Sequence, residues 1–251
     1  MDRLAQTALS AIRQMKDTKF DLAHNLSNVN VPGFRKDLPN EGNAAFLTEL
    51  EKVSAKVLPL EVERRSFSNE LGQIQSTGVE TDVAVLNEAF FYITPANGEI
   101  ALSRRGDFGI NELNQLVNGA GELVLSDGLT PIILPDFVDI SITDIGEILV
   151  QQAGAADGDF TSVGFIGSTS SELDQLIKSL DGHIRKSDGT VPAVDQSAKF
   201  GQGYLESSNV SAIEELINNI DMQRQFEINI KLIKKASELD SAGSKLLSLP
   251  T

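Results

Sequence analysis

The chain has 251 residues, 41% of them hydrophobic but only 6% aromatic, with no Trp and two Tyr. That length suffices for one buried core or two modest domains. A formal net charge of −15, from 21 cations against 36 acids, argues against a nucleic-acid partner, which needs clustered cations to displace counterions. It also disfavours an anionic membrane surface. Cys is absent, which excludes thiol catalysis, zinc ribbons and disulfide frameworks.

The acid is concentrated in the middle. Residues 1–36 hold six Lys/Arg against three Asp/Glu, residues 209–251 hold five against six, and residues 37–208 hold ten against 27. A solvated body with nearly neutral ends suits a protein whose ends pack against copies of each other. It suits an acidic domain with two ordinary helices equally well. The first twenty residues carry no apolar core of the kind a cleaved secretory signal requires. No run is apolar and long enough for a transmembrane helix. The expectation is a chain with no direct membrane insertion that stays in the cytoplasm or leaves without a cleaved signal.

Breakers are segregated. No Gly or Pro precedes Pro32, none occurs from Tyr204 to Ala242, and 17 of the 20 Gly lie between Gly72 and Gly203. In the first segment Leu4, Ala8, Ala11, Met15, Thr18, Leu22, Asn25 and Val29 follow alternating steps of four and three, the seam of a coiled coil. The run Asn25-Leu26-Ser27-Asn28-Val29-Asn30 leads to Pro32-Gly33, where Pro stops the helix. Such a rod, roughly 39 Å long from 1.5 Å per residue, cannot bury its stripe against itself. Residues 34–71 are intermediate, with room for a short helix at Ala44–Leu50 between Pro39 and Pro59.

The middle reads as β. Ala89–Thr94 and Glu99–Ser103 flank Asn97-Gly98, a hairpin signal. Short strands follow at Glu122–Leu125, Val138–Ile142, Ile148–Val150 and Ser162–Ile166, with turns at Asp127-Gly128, Asp181-Gly182 and Asp188-Gly189. The last segment opens on Ser211-Ala212-Ile213-Glu214, a capping-box pattern with acids in the first turn. Phe226–Leu232 alternates as a strand would, but no breaker isolates it, and Ile230, Ile233 and Ser237 continue a helical stripe. A helix is expected there.

Chemistry is sparse. His24 and His183 fall on different predicted modules, so neither a metal site nor a His-based pair is expected. Glu80-Thr81-Asp82 reads as a loop before the strand Val83–Leu86 rather than as an acid–base pair. Asp157-Gly158-Asp159 lacks the spaced ligands of a calcium loop. Gly106–Gly109 and Gly119–Gly121 open no helix that would receive a phosphate. Arg104-Arg105 reads as a surface pair or as an interface contact, and the sequence leaves that open. The expectation is no catalytic residue, no metal and no cofactor.

The motifs, taken together, resemble the flagellar basal-body rod and hook family, and within it the proximal-rod members of the FlgF type. The family's A-N-N-L-A-N-x-x-T-x-G-F run stands here as Ala23-His24-Asn25-Leu26-Ser27-Asn28-Val29-Asn30-Val31-Pro32-Gly33-Phe34. Thr77–Asp82 with Ala89-Phe90-Phe91, Arg104-Arg105-Gly106-Asp107-Phe108 and Gly121–Val124 look like its central elements. Gly203-Tyr204-Leu205-Glu206 with Ser208-Asn209-Val210, Glu214-Glu215 and Arg224-Gln225-Phe226-Glu227 look like its closing one. His24, Val31-Pro32 and Ala89 depart from signature residues.

The resemblance implies a rod subunit with no enzymatic activity. It would polymerise through its terminal helices into part of the drive shaft and export-channel wall, in a flagellar basal body whose rod spans the periplasm. The implied partners are other rod subunits, copies of itself and the flagellar type III export apparatus. The expected fold is α+β, with N- and C-terminal helices pairing as a coiled-coil-like stalk and a central antiparallel all-β domain inserted between them. Residues 1–33 would form the stalk helix pairing with 208–251, 34–75 a linker, 76–200 the β domain, and 201–251 a return segment and the second stalk helix. Candidates for stalk and intersubunit contacts are Leu22, Asn25, Leu26, Asn28, Val29, Gly33, Phe34, Glu206, Asn209, Val210, Arg224 and Phe226. Alternatives are a distal-rod or hook-type subunit, a phage-tail or adhesin-like fibre, and a carbohydrate-active enzyme with a β domain.

Overall fold

The computed structural model describes residues 2–38, 66–156, 158–170, 176–179 and 181–247. The short helix expected at Ala44–Leu50 lies outside them. The chain divides into two units, one formed by Met1–Ser27 with Ser211–Thr251 and the other by Asn28–Val210.

The first unit holds two helices, α1 (Asp2–Ser27) and α2 (Ala212–Leu247). Ser211 caps α2: its Oγ accepts from Glu214 N at 3.4 Å and its carbonyl from Glu215 N at 3.0 Å. Glu214 and Glu215 sit in the first turn, where the helix dipole favours acids. The helix runs unbroken through the alternating stretch Phe226–Leu232.

The expected α+β fold with a coiled-coil-like stalk is corrected here. The described body is mostly β-sheet, and its two helices are unequal, 26 and 36 residues long. A coiled coil requires both helices to bury a matching seam. On α1, Met15, Thr18 and Leu22 are only half-buried. On α2, Ile213, Leu216, Ile217, Ile220, Phe226 and Ile228 stand 44–72% exposed. Among the described side chains of the helices, the buried ones are Asn25 and Glu215, which are polar. Among the described side chains, α2 presents no seam facing the expected stripe of α1.

The second unit is built from fifteen short strands among its described residues, paired antiparallel throughout. The largest sheet is ordered β12 (Leu176–Lys178), β13 (Ile184–Lys186), β4 (Ala101–Ser103), β3 (Phe90–Thr94), β7 (Leu123–Val124), β6 (Leu116–Asn118), β5 (Phe108–Ile110). β3 is its centre. One edge pairs with β4, placing Phe91 opposite Ser103 and Ile93 opposite Ala101. The other edge is shared, Ile93–Thr94 with β7 and Phe90–Phe91 with β11 (Ser168–Thr169). The β3–β4 turn is the Asn97-Gly98 hairpin; Gly98 adopts φ 78°, a conformation glycine takes without steric cost.

Because neighbouring strand residues face opposite ways, β3 divides two cores. Phe91 faces a larger core with Phe108, Phe200, Ile148 and Val150. Phe90 and Tyr92 face a smaller one with Phe67, Leu102, Leu125, Leu176 and Ile184. That is why Ala89–Ile93 is an unbroken apolar run: both faces of the strand are covered. Phe91 meets Phe108 edge-on at 5.1 Å and stacks on Phe200 at 5.8 Å. The buried Tyr92 hydroxyl donates to Pro192 O at 2.8 Å.

Three further sheets surround this one. β8 (Phe137–Ile142), β9 (Glu147–Gln152) and β10 (Thr161–Phe165) form a three-stranded meander. β2 (Val83–Val85) pairs with β14 (Phe200–Gln202), and β1 (Ile74–Ser76) with β15 (Tyr204–Glu206). The last pairing brings Glu206 opposite Ile74 and so sets the position of the candidate site.

Candidate functional site

The segment 28–38 and the segment 206–210 meet inside the body and are locked by a buried polar network. Its hub is Glu206, 1% exposed. One carboxylate oxygen, Oε1, accepts from Gly72 N at 2.7 Å and pairs with Arg35 Nη1 at 3.0 Å. The other, Oε2, accepts from Arg104 Nε at 2.6 Å. The main-chain oxygen of Glu206 accepts from Gly33 N at 2.7 Å.

Arg104 spends its remaining donors on the main chain. Its Nη1 donates to Asn87 O at 2.7 Å and to Ala89 O, and its Nη2 to Val85 O at 2.8 Å. The guanidinium also lies 5.7 Å from the Phe90 ring centroid. One residue thus ties together the β2 end, the turn before β3 and the β15 carboxylate. Arg35 adds a bond to Glu70 O. Burial, then the neighbouring Arg104 charge, push the Arg35 guanidinium down to about 10 against the pull of Glu206. Burial likewise lowers Arg104, opposed by Glu206. Two buried guanidinium groups thus share one carboxylate.

A second layer surrounds the hub. Lys178 Nζ meets Asp37 Oδ1 at 2.6 Å, donates to Arg35 O at 2.8 Å and lies 3.8 Å from the Phe34 ring centroid. Asn209 works as a bracket: its Oδ1 accepts from Lys36 N at 2.6 Å, and its Nδ2 donates to Glu70 O at 2.8 Å and Ser68 O at 3.3 Å. Close approach demands the glycines. Gly33 adopts φ 65°, and a Cβ there would sit 2.1 Å from Arg104 O; at Gly72 it would sit 1.8 Å from Ser207 O.

The residues expected at interfaces therefore separate. Gly33, Phe34, Glu206, Asn209 and Val210 gather in this junction, with Gly33, Glu206 and Val210 buried. Asn28 accepts the Val31 N–H at 3.1 Å and, like Val29, is half-buried. In the helical unit, Asn25 Nδ2 faces Glu215 Oε2 at 3.5 Å, while Leu22 and Leu26 are half-buried. Arg224 and Phe226 are exposed, Arg224 facing Asp221 at 3.7 Å. Arg35, Gly72, Arg104 and Lys178 were missed as site residues. Arg104 is neither a surface pair nor an interface contact with Arg105: it is buried, while Arg105 is half-exposed and paired with Asp107 at 2.8 Å. The only signal for its role is a long cation at the end of a run of β residues, with its partner 102 positions away.

Reactive chemistry is not what this arrangement provides. Both Glu206 carboxylate oxygens are held by donors, from Gly72 and Arg35 on one side and Arg104 on the other. Among the described residues no cluster of His, Cys, Asp or Glu is placed to hold a metal ion. His183 Nε2 lies 3.0 Å from Glu122 Oε1, and His24 stacks on Phe20. An open groove of about 350 Å³ lies elsewhere, beside Glu80 and Asp139.

Comparison with known proteins identifies this architecture. Residues 202–246 match the family profile described as the flagellar basal body rod FlgEFG protein C-terminal region, and residues 84–153 that of the flagellar hook protein FlgE/F/G D1 domain. The flagellar basal-body rod protein FlgG of Agrobacterium fabrum is 31% identical over 90% of this chain and 92% of its own length. The chain belongs to the flagellar basal-body rod protein family. FlgF of Salmonella typhimurium is 28% identical over 99% of the chain and its entire length, and FlgG of Borreliella burgdorferi 30% over 98% of the chain. Relatives of both rod-protein names stand at comparable identity, so the likeness fixes the family and leaves the FlgF and FlgG types equally near. Both profile matches reach the junction, one through Arg104 and the other through Glu206 and Asn209.

Proposed function

We propose that the chain is a structural subunit of the bacterial flagellar rod, without catalytic activity, that joins the rod through its terminal helices and forms part of the drive shaft and export-channel wall. The observation that carries this reading is the contrast between a junction whose central carboxylate, Glu206, is paired on both oxygens inside the chain and an α2 whose large apolar residues face solvent. An enzyme would need the reverse: a rigid cleft with uncommitted polar groups. Burying exposed apolar area, at about 25 cal/mol per Å² before ordering costs, is what a polymerising subunit has to gain.

Arg224 and Phe226 are the direct intersubunit contacts in this reading. Leu22, Asn25, Leu26, Asn28 and Val29 shape α1 and its end, and Gly33, Phe34, Glu206, Asn209 and Val210 fix the directions in which the chain leaves the body. The neighbours are other rod subunits and copies of the chain itself. The export route in this reading is the flagellar type III apparatus, which agrees with the lack of Cys. The proximal-rod placement rests on the FlgF-type motif resemblance alone, since FlgF and FlgG relatives match the chain to a comparable extent. The test is to probe purified hook–basal bodies for this chain. A few copies per basal body support the proximal-rod reading, many copies move it to the distal rod, and absence from complete basal bodies refutes it.

A further inference from the structure

Within residues 28–210 the sequence has a single histidine, His183. Imidazole is the side chain whose charge ordinarily changes between about pH 5 and 8. The ring closes the turn from β12 to β13 and meets the β6–β7 turn. Its Nε2 lies 3.0 Å from Glu122 Oε1, and Glu122 Oε2 accepts from Asn118 Nδ2 at 2.7 Å. The two side chains are 22% and 13% exposed, so water screens the pair weakly. Burial raises the Glu122 carboxyl less than the bonds from His183 and Asn118 lower it, and Glu122 stays ionised through that interval. The other charges around the pair are Asp181 and Arg185 on the same hairpin, bonded to each other at 2.8 Å, Arg105 after β4, bonded to Asp107 at 2.8 Å, and Glu99 on the β3–β4 hairpin, 3.7 Å from Arg185. Both of these cations have carboxylates of their own. The charge on the imidazole therefore decides how strongly Glu122 is held.

The same turn reaches the junction from its other side. Lys178 leads into it, with its Nζ on Asp37 at 2.6 Å and on Arg35 O at 2.8 Å. Ser179 N donates to His183 O at 2.8 Å, and Lys178 stands opposite Ile184 in the hairpin. One hydrogen bond thus separates the residue after Lys178 from the histidine. The hairpin joins its sheet through a single residue pair, Ile184 opposite Leu102, and its Leu176 and Ile184 enter the smaller core. With so short a ladder, the side-chain ties of the turn set how firmly it is seated.

We propose that this turn is a proton-operated latch on the junction: protonated His183 clamps it to Glu122 and so seats Lys178 against Asp37 and the Arg35 carbonyl, and loss of the proton loosens turn and junction together. A hydrogen bond between two charged groups is roughly twice as strong as one between neutral groups. The latch is therefore tight where the imidazole holds its proton and Glu122 is ionised. It slackens as pH rises through the histidine range, and it fails in stronger acid, where Glu122 takes up a proton. The acidity of the surroundings thereby reaches the segment by which the chain enters the body. The latch belongs to the body alone and does not depend on the reading of the chain as a rod subunit.

Amide hydrogen exchange of the purified full chain tests this, at about pH 5.5 and about pH 7.5, within the interval where imidazole titrates, after correction for the intrinsic pH dependence of exchange. The turn is read at Ser179 and Gly182, whose N–H groups bond to His183 O and Ser179 O, and the junction at Lys36 and Leu38, which bond to Asn209 Oδ1 and Ser66 O. Opening at all four is expected to increase about fivefold at the higher pH, the difference between a charge-assisted and a neutral hydrogen bond. Tyr92 and Leu125, bonded at the centre of the sheet, are expected to stay unchanged. His183→Gln keeps a neutral donor and is expected to open equally at both pH values, at the faster rate. No pH difference at the turn of the unaltered chain, a difference that survives in His183→Gln, or a turn that loosens while Lys36 and Leu38 stay fixed each overturns the proposal. If His183→Gln does not fold, Glu122→Gln removes the charge that the proton faces and is expected to lose the pH difference likewise; its persistence there overturns the latch.

Discussion

The junction around Glu206 and the surface of α2 are opposite solutions to the same problem of satisfying side chains. At the junction, residues from four distant parts of the sequence close on one another around the Glu206 carboxylate, both of whose oxygens are paired inside the chain. Along α2, apolar residues up to 72% exposed are left for something else to cover. A folded chain that finishes one region and leaves another open separates stability from assembly. Substitutions at the first should cost folding, and substitutions at the second should cost incorporation alone.

The largest effect is expected at Glu206. Glu206→Ala leaves Arg35 and Arg104 buried without a counter-charge, and breaking such a buried pair costs about 3–5 kcal/mol. Denaturant unfolding of the purified chain should show that loss. A change under 1 kcal/mol, of the size expected at a surface position, would mean that the network holds nothing together. Replacing the ions with apolar residues is a different experiment, because desolvation offsets much of what the pair contributes.

Gly33→Ala comes next. It places a Cβ against the Arg104 carbonyl at a positive φ, and the backbone strain alone costs roughly 1–3 kcal/mol. Thermal melting measures it, and a melting point equal to that of the unaltered chain would show that this approach is looser than described.

Acid should act through smaller, separate groups. Burial pushes the Glu122 carboxyl up, but hydrogen bonds from His183 and Asn118 outweigh it and hold it below its ordinary range. At Asp195 bonds from Ser170 and Ser197 likewise outweigh burial. A depressed carboxyl binds its proton more readily in the unfolded chain. The stability it contributes is therefore fully present above the ordinary carboxylate range and is lost as pH falls through the folded value. Glu122→Gln should remove about 1 kcal/mol at neutral pH, the worth of a typical hydrogen bond, and should flatten the acid limb of a stability-against-pH curve. An unchanged acid limb would remove Glu122 from the account.

Sequence alone revealed much of this and missed a specific part. The hairpin at Asn97-Gly98, the run Ala89–Ile93 and the capped start of α2 were legible because each signal is local: a turn dipeptide, a two-sided strand, a Ser with an acid three residues on. The coiled-coil stalk was misjudged because a heptad stripe on α1 states what that helix can bury and says nothing about its partner. The junction was half legible. Gly33, Phe34, Glu206 and Asn209 stood out through resemblance, but their contacts with Arg35, Gly72, Arg104 and Lys178 span up to 171 positions and depend on strand pairing that no local pattern encodes.

The smallest effect on folding is expected where the effect on assembly is greatest. Phe226→Asp alters a side chain 44% exposed and should change the stability of the purified chain by no more than about 0.5 kcal/mol. Hook–basal bodies isolated from cells whose only copy of this protein carries Phe226→Asp give the most direct test of a chain completed by its neighbours. The account predicts that the substituted chain is missing from them although its purified form unfolds at the same denaturant concentration as the unaltered one. Recovery in basal bodies at the unaltered level would contradict it.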